Sequence, residues 1–221
     1  MGNNRRVVNT AIYYWRRFYA KQAFSTHCHF RVHFTDVHPY LAVPTCYYLA
    51  SKVEEVAANV SRVLSSFEGV LKLHKIDPIK WTIDDVLSCE NLILLKLDYC
   101  LLFFDPFRYL RHFLSLCHLE DCLQACTLLV FSYRIIDRNI VNDSFYTLIP
   151  ITHAPHIVAA TAVYMICTMN NIDPVDVFTE LKFDVQEIYG ICATMCVFYE
   201  KGVDLWPKEL TDCILTISQQ F

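Results

Sequence analysis

Lys52 and Glu90 are charged residues standing where their helical patterns call for apolar ones. Lys52 continues a line formed by Leu41, Thr45, Tyr48 and Leu49. Glu90 lies on an apolar stripe between Leu87 and Leu94. A carboxylate there must find a partner or reach solvent at a groove edge. Glu54 and Glu55 add a second irregularity, since acids in the last turn of a helix oppose its dipole. Local rules broken in two places mark a candidate site. The plainer reading is that Lys52 and Glu90 pair with each other at a rim, which contributes little to stability. The pattern leaves both readings open.

Other reactive residues point nowhere comparable. His27, Cys28, His29, His33 and His38 crowd the polar stretch Ser25–His38, but adjacent His27-Cys28-His29 lacks the paired spacing of zinc modules. Cys28 with His29 lacks the third residue and oxyanion donor of a hydrolase. The stretch reads as a loop insertion or retained intron. His153 and His156, beside Pro155, read as helix-entry residues. With only 4 Gly (Gly2, Gly69, Gly190 and Gly202), no Gly-rich phosphate loop or G-x-S-x-G elbow can be written. We therefore expect no catalytic residues, no cofactor and no metal.

Composition narrows the class further. The chain is 54% hydrophobic and 19% charged, which excludes intrinsic disorder. A net charge of −4 gives no footprint for neutralising phosphates, so no direct nucleic-acid contact is expected. The one basic cluster, Arg5, Arg6, Arg16, Arg17 and Lys21, reads as a solvated helix face. Eleven cysteines form no C-x-x-C pair, and Cys122/Cys126 and Cys192/Cys196 are spaced as buried thiols on one helix face. Those features suit a reduced, intracellular protein. Sequons at Asn59 and Asn142 are chance matches without a signal peptide, and Arg6 stands where a myristoylation motif wants Ser or Thr. The uncharged stretch between Asp143 and Asp173 is broken by Pro150 and Pro155. Its apolar part, Ile157 to Met169, would span only about 20 Å of a roughly 30 Å hydrocarbon core, so no membrane partner is expected.

Helices must position these residues. The first is expected from Arg5 to Gln22, with Val7, Val8, Ala11, Ile12, Trp15, Phe18 and Tyr19 inward. Pro39 to Val56 is apolar nearly all round, as a central bundle helix would be. A shorter helix covers Asn59 to Lys72. Thr82-Ile83-Asp84-Asp85 resembles a capping signal and starts a helix whose stripe is Ile83, Val86, Leu87, Leu94, Leu97 and Leu101. After Asp105-Pro106 the pattern recurs: Phe107–Cys117, Asp121–Asp137, the all-apolar Ile157–Met169, a short helix after Asp173-Pro174, and Val185–Tyr199. The 221 residues thus read as all-α, with domains at 1–105 and 106–221.

Leu49-Ala50-Ser51-Lys52-Val53-Glu54-Glu55 resembles the signature of the cyclin box, as does Val8-x-Thr10-Ala11-x-x-Tyr14-x-x-Arg17-Phe18 before it. Cys89-Glu90 fits the fifth box helix. Arg17-Phe18-Tyr19-Ala20, Pro44-Thr45-Cys46 and Ile140-Val141-Asn142-Asp143-Ser144 are similar to the transcriptional C type. The resemblance implies two tandem five-helix boxes. The first helix of box one would precede Arg5, so that box reads as truncated and one side of Pro39–Val56 as uncovered. It also implies a nuclear regulatory subunit that activates a cyclin-dependent serine/threonine kinase and works with Mediator kinase-module subunits. On that resemblance Lys52, Val53, Glu55, Glu90 and Leu94 would bind the kinase. Lys52 would donate to carbonyls of its regulatory helix, Glu90 would accept from N–H groups, and Val53 and Leu94 would supply an apolar floor. The alternatives are a B-type general transcription factor of cyclin fold and an inactive pseudo-cyclin.

Overall fold

The computed structural model describes residues 2–23, 37–56, 58–77, 79–117, 140–169 and 171–205. The stretch 25–36 with its His27–His33 cluster, the expected helix Asp121–Asp137 and Cys122/Cys126 lie outside these residues. The described chain is all-α, with no strand. It divides into two compact units, one running through Phe103 and the other starting at Phe104.

In the first unit α1 (Gly2–Ala23), α3 (Val60–Leu73) and α4 (Ile83–Lys96) surround α2 (Pro39–Val53). The central place of α2 follows from its sequence. Ala42 and Ala50 are fully buried and let neighbouring backbones approach, and Cys46 and Leu49 fill the space beside them. Its deeply buried Thr45 and Ser51 hydroxyls are satisfied within the helix, Thr45 Oγ1 donating to the Leu41 carbonyl at 2.7 Å and Ser51 Oγ to the Tyr48 carbonyl at 2.6 Å. On α1 the buried line is Val7, Ala11, Tyr14 and Phe18, while Val8 is 42% exposed, so the expected stripe is turned toward Tyr14. The Tyr14 hydroxyl donates to the Leu101 carbonyl at 2.6 Å, and Arg17 Nη1 donates to the Cys100 carbonyl at 2.7 Å. Arg17 also lies over the Tyr13 ring, and Arg6 pairs with Glu54. The basic cluster is therefore not merely a solvated face.

Helix starts are set by side chains. Asn59 accepts from the Ser61 N–H, and Thr82 and Asp85 form a reciprocal capping box, as the sequence indicated. The Thr82 hydrogen bonds hold the Asp85 carboxyl below its usual range. Helix ends are less ordinary. Glu55, Lys75, Asp98, Tyr99, Asn171 and Lys182 take positive φ with no glycine among them. After Glu55, Lys75, Asn171 and Lys182 the following amide reaches back five residues: Val56 to Ser51, Ile76 to Leu71, Ile172 to Cys167 and Phe183 to Phe178, at 2.8–3.0 Å. α4 stops the same way at Lys96, five residues before the expected Leu101, with Tyr99 N–H bonded to the Leu94 carbonyl.

His38 caps α2 by accepting the Tyr40 N–H on Nδ1 at 3.2 Å, and its ring packs on Tyr40 and Trp81. Burial lowers its pKa below the ordinary histidine value. The folded state thus prefers neutral His38, whereas the unfolded chain takes up a proton near the ordinary value. This contribution is fully present above about pH 6.5 and lost as pH falls through the lower folded pKa. The thermal midpoint should fall between pH 7.5 and pH 5.5, and His38→Asn, which keeps an acceptor that does not titrate, should flatten that dependence. An unchanged slope in His38→Asn would remove His38 from the account.

In the second unit α8 (Pro155–Met169) is central, with α5 (Phe107–Leu116), α6 (Ile140–Ser144), α7 (Ile149–Thr152) and α10 (Val185–Leu205) packed on it and α9 (Val175–Glu180) against α10. Ile157, Val158, Ala159, Ala160, Ala162, Val163, Ile166 and Cys167 are all buried, as expected of a core helix. Among the described residues no helix is long and apolar enough to cross a membrane. Leu110 and Leu114 of α5 and Ile188, Ile191 and Met195 of α10 supply the facing layers. Cys192 is half-buried, and burial, aided by Cys196, pushes its thiol up to about 12. Cys196 itself is exposed, so the expected pair of buried thiols is not formed.

Candidate functional site

Lys52 sits in the last turn of α2 and Glu90 in the middle of α4, and packing of these two helices brings them together. Lys52 Nζ donates to both carboxylate oxygens of Glu90, at 2.7 and 2.8 Å. The pair is asymmetric: the Glu90 side chain is 8% exposed, the Lys52 side chain 45%. The ammonium also lies 4.3 Å from the centre of the Tyr48 ring. Partial burial pulls the Lys52 pKa down, but the Glu90 hydrogen bond and charge outweigh it, helped by Tyr48, and the net shift is upward. The result is a fixed cation at the surface, anchored on a nearly buried carboxylate. An ammonium has three donors and a carboxylate about four acceptor sites, so two bonds between them leave capacity on both.

The apolar setting differs from the expected one. The buried line of α4 is Val86, Cys89, Ile93 and Leu97, one residue back from the Leu87 line. Ile83 and Leu87, expected inside, are 46% and 38% exposed. They share a helical line with Glu90 and the half-buried Leu94, spaced i, i+4, i+7 and i+11. Val53, beside Lys52, is also exposed. The candidate site therefore holds Ile83 and Leu87 in addition to Val53 and Leu94. Their even spacing was visible in the sequence, but spacing alone does not say which of two adjacent lines faces the core.

The two acids after Lys52 separate. α2 ends at Val53, so neither stands in its last turn. Glu54 is the C-cap; its carboxylate accepts from buried Thr10 Oγ1 at 2.8 Å and from Arg6 Nε at 2.9 Å. This ties the start of α1 to the end of α2 and explains the residue without a partner molecule. Glu55, one step on, is exposed in the left-handed region. Glu54→Ala should cost about 1–3 kcal/mol, because the Thr10 hydroxyl then stays buried without an acceptor. Denaturant unfolding checks this, with Thr10→Val in the same background expected to recover most of the loss.

Among the described residues no group of three or more His, Cys, Asp or Glu side chains could hold a metal ion. Chemically the site offers a cation and an anion at fixed separation, bordered by exposed aliphatic side chains.

Residues 3–102 match the family model of the cyclin N-terminal domain. Cyclin-C of Rattus norvegicus is 29% identical over 203 residues, covering 89% of this chain and 66% of that protein. Cyclin-C of Drosophila melanogaster is 29% identical over 219 residues, covering 96% and 74%. Cyclin-C1-1 of Oryza sativa subsp. japonica is 29% identical over 196 residues, covering 89% and 67%. The chain thus spans about two thirds to three quarters of the length of these relatives. Residues 3–102 thus match the cyclin N-terminal domain, and the relatives that the chain resembles over most of its length are cyclins of the C type.

Proposed function

We propose that this chain is a cyclin, the regulatory subunit of a cyclin-dependent serine/threonine kinase, and that the kinase is the transcriptional one of the Mediator complex, in the nucleus. The observation that carries the reading is the Lys52–Glu90 pair, half in water, rigidly held and bordered by exposed Val53, Ile83 and Leu87. A kinase regulatory helix laid across this border would offer carbonyls to Lys52 and N–H groups to Glu90, with its apolar face on the aliphatic residues. Similarity to cyclin-C relatives supports the Mediator assignment.

The cyclin would supply no reacting atom. Its work is to favour one state of the kinase, in which the kinase's own helix Glu has swung in to pair with the ATP-positioning Lys. Equal affinity for both states would shift nothing. Moving an equilibrium from 1:99 to 99:1 takes about 5.5 kcal/mol of preference. Two charged hydrogen bonds made only to the swung-in helix would give about 3–6 kcal/mol, which is of the required size.

Co-expression with a transcriptional cyclin-dependent kinase should yield a complex stable through size-exclusion chromatography. The alternative is a DNA-binding cyclin fold of the B-type transcription factor. It is disfavoured by the net charge of −4 and by the lack of any C-x-x-C pair for a zinc ribbon. Retention on duplex DNA at physiological salt with no kinase bound would favour that alternative.

A further inference from the structure

Tyr48 stands one helical turn before Lys52 on α2 and is half-buried. Side chains of a helix lean back toward its N-terminus, so the Lys52 stem is carried over the Tyr48 ring. The ammonium ends 4.3 Å from the ring centre, within the range of a cation held on an aromatic face. The Glu90 pair does not require this contact, since it is complete with the two carboxylate oxygens.

A carboxylate alone leaves a lysine loosely placed. It fixes the distance to Nζ, but a flexible four-carbon stem can reach it in many conformations. The ring is a second fixed point, and it comes from the same helix as Lys52. Its negative face attracts the charge without a hydrogen bond to an oxygen, so the ammonium keeps donor capacity for a partner carbonyl. Burial opposes the charge on Lys52, and Tyr48 stands with Glu90 among the groups that favour it. We propose that Tyr48 is a positioning residue for kinase binding: its ring holds the Lys52 ammonium, anchored on Glu90, where a carbonyl of the kinase helix would meet it. The inference rests on the kinase reading and names the residue that sets the geometry of that site.

The test places phenylalanine or pentafluorophenylalanine at Tyr48 of the full chain. The two rings are alike in shape and opposite in the charge of their faces. In titrations with a transcriptional cyclin-dependent kinase, the Tyr48→Phe chain should bind about threefold to tenfold more tightly than the fluorinated one. In a Lys52→Ala background the two should bind alike. Proton NMR of the free chain reads the placement with no kinase present. The Lys52 ε protons should be shifted upfield by the ring in the parent and in Tyr48→Phe, and lose that shift in Tyr48→Leu. Unshifted ε protons in the parent would overturn the role of Tyr48. So would equal affinity of the two ring variants in a chain whose binding does depend on Lys52. Lys52→Ala that binds like the parent would instead overturn the kinase reading, and this inference with it.

Discussion

The Lys52→Ala, Glu90→Ala double variant is expected to lose about 10²–10⁴-fold in kinase affinity while keeping nearly all of its folding stability. The affinity loss follows from two charge-assisted hydrogen bonds at about 1.5–3 kcal/mol each, desolvated when the kinase helix covers them. The stability statement follows from geometry. Because Lys52 is half in water, the pair itself contributes little, and removing both members leaves no orphan charge. The single variants should differ. Lys52→Ala strands the nearly buried Glu90 carboxylate and should cost about 1–3 kcal/mol. Glu90→Ala frees an ammonium that can turn to water and should cost less. Denaturant unfolding of the four proteins, beside titration with the kinase, separates a structural pair from a gripping one. A double variant that binds like the parent would leave Lys52 and Glu90 as a structural pair only.

The second large effect concerns the floor beneath the site. Ile93 is fully buried one turn beyond Glu90, in the core with Cys46, Leu49 and Ala50 of α2. Ile93→Ala should destabilise the first unit by about 2–5 kcal/mol, the lost transfer energy plus the cavity left behind. For a unit of this size the thermal midpoint should fall by about 10 °C or more. Leu95→Ala, on the same helix but 56% exposed, should change stability by about 0.5 kcal/mol or less. Equal losses in the two variants would contradict the assigned orientation of α4.

Much of this could be read from residue types alone. The all-α class, the central apolar helices Pro39–Val53 and Pro155–Met169, and the Thr82–Asp85 capping box all follow from local pattern. The failures share a cause, which is that they depend on what lies across the core. On α4 the line through Leu87 is apolar except for Glu90 and competes with the line through Val86, and packing against α2 goes with Ile93 buried and Leu87 exposed. The end of α4 at Lys96 carries no glycine signal, because Asp98 and Tyr99 adopt the left-handed region instead. Glu54 looked misplaced against a helix dipole. Its partners, Arg6 and Thr10, lie more than forty residues away in sequence, and the dipole argument did not include them. At the site, the charge at Lys52 and Glu90 was legible and so was their possible pairing. The exposure of Ile83 and Leu87, which turns an ion pair into a bordered surface, was not.

The central claim is that this surface selects the active arrangement of a kinase. The direct measurement is the phosphorylation rate of a C-terminal-repeat peptide by a purified transcriptional cyclin-dependent kinase, alone and with saturating parent chain. The account predicts a large increase with the parent, and with the Lys52→Ala, Glu90→Ala variant no increase at concentrations that saturate the parent. A kinase whose rate is unchanged by the parent chain, or is raised equally by parent and variant at equal concentration, would contradict it.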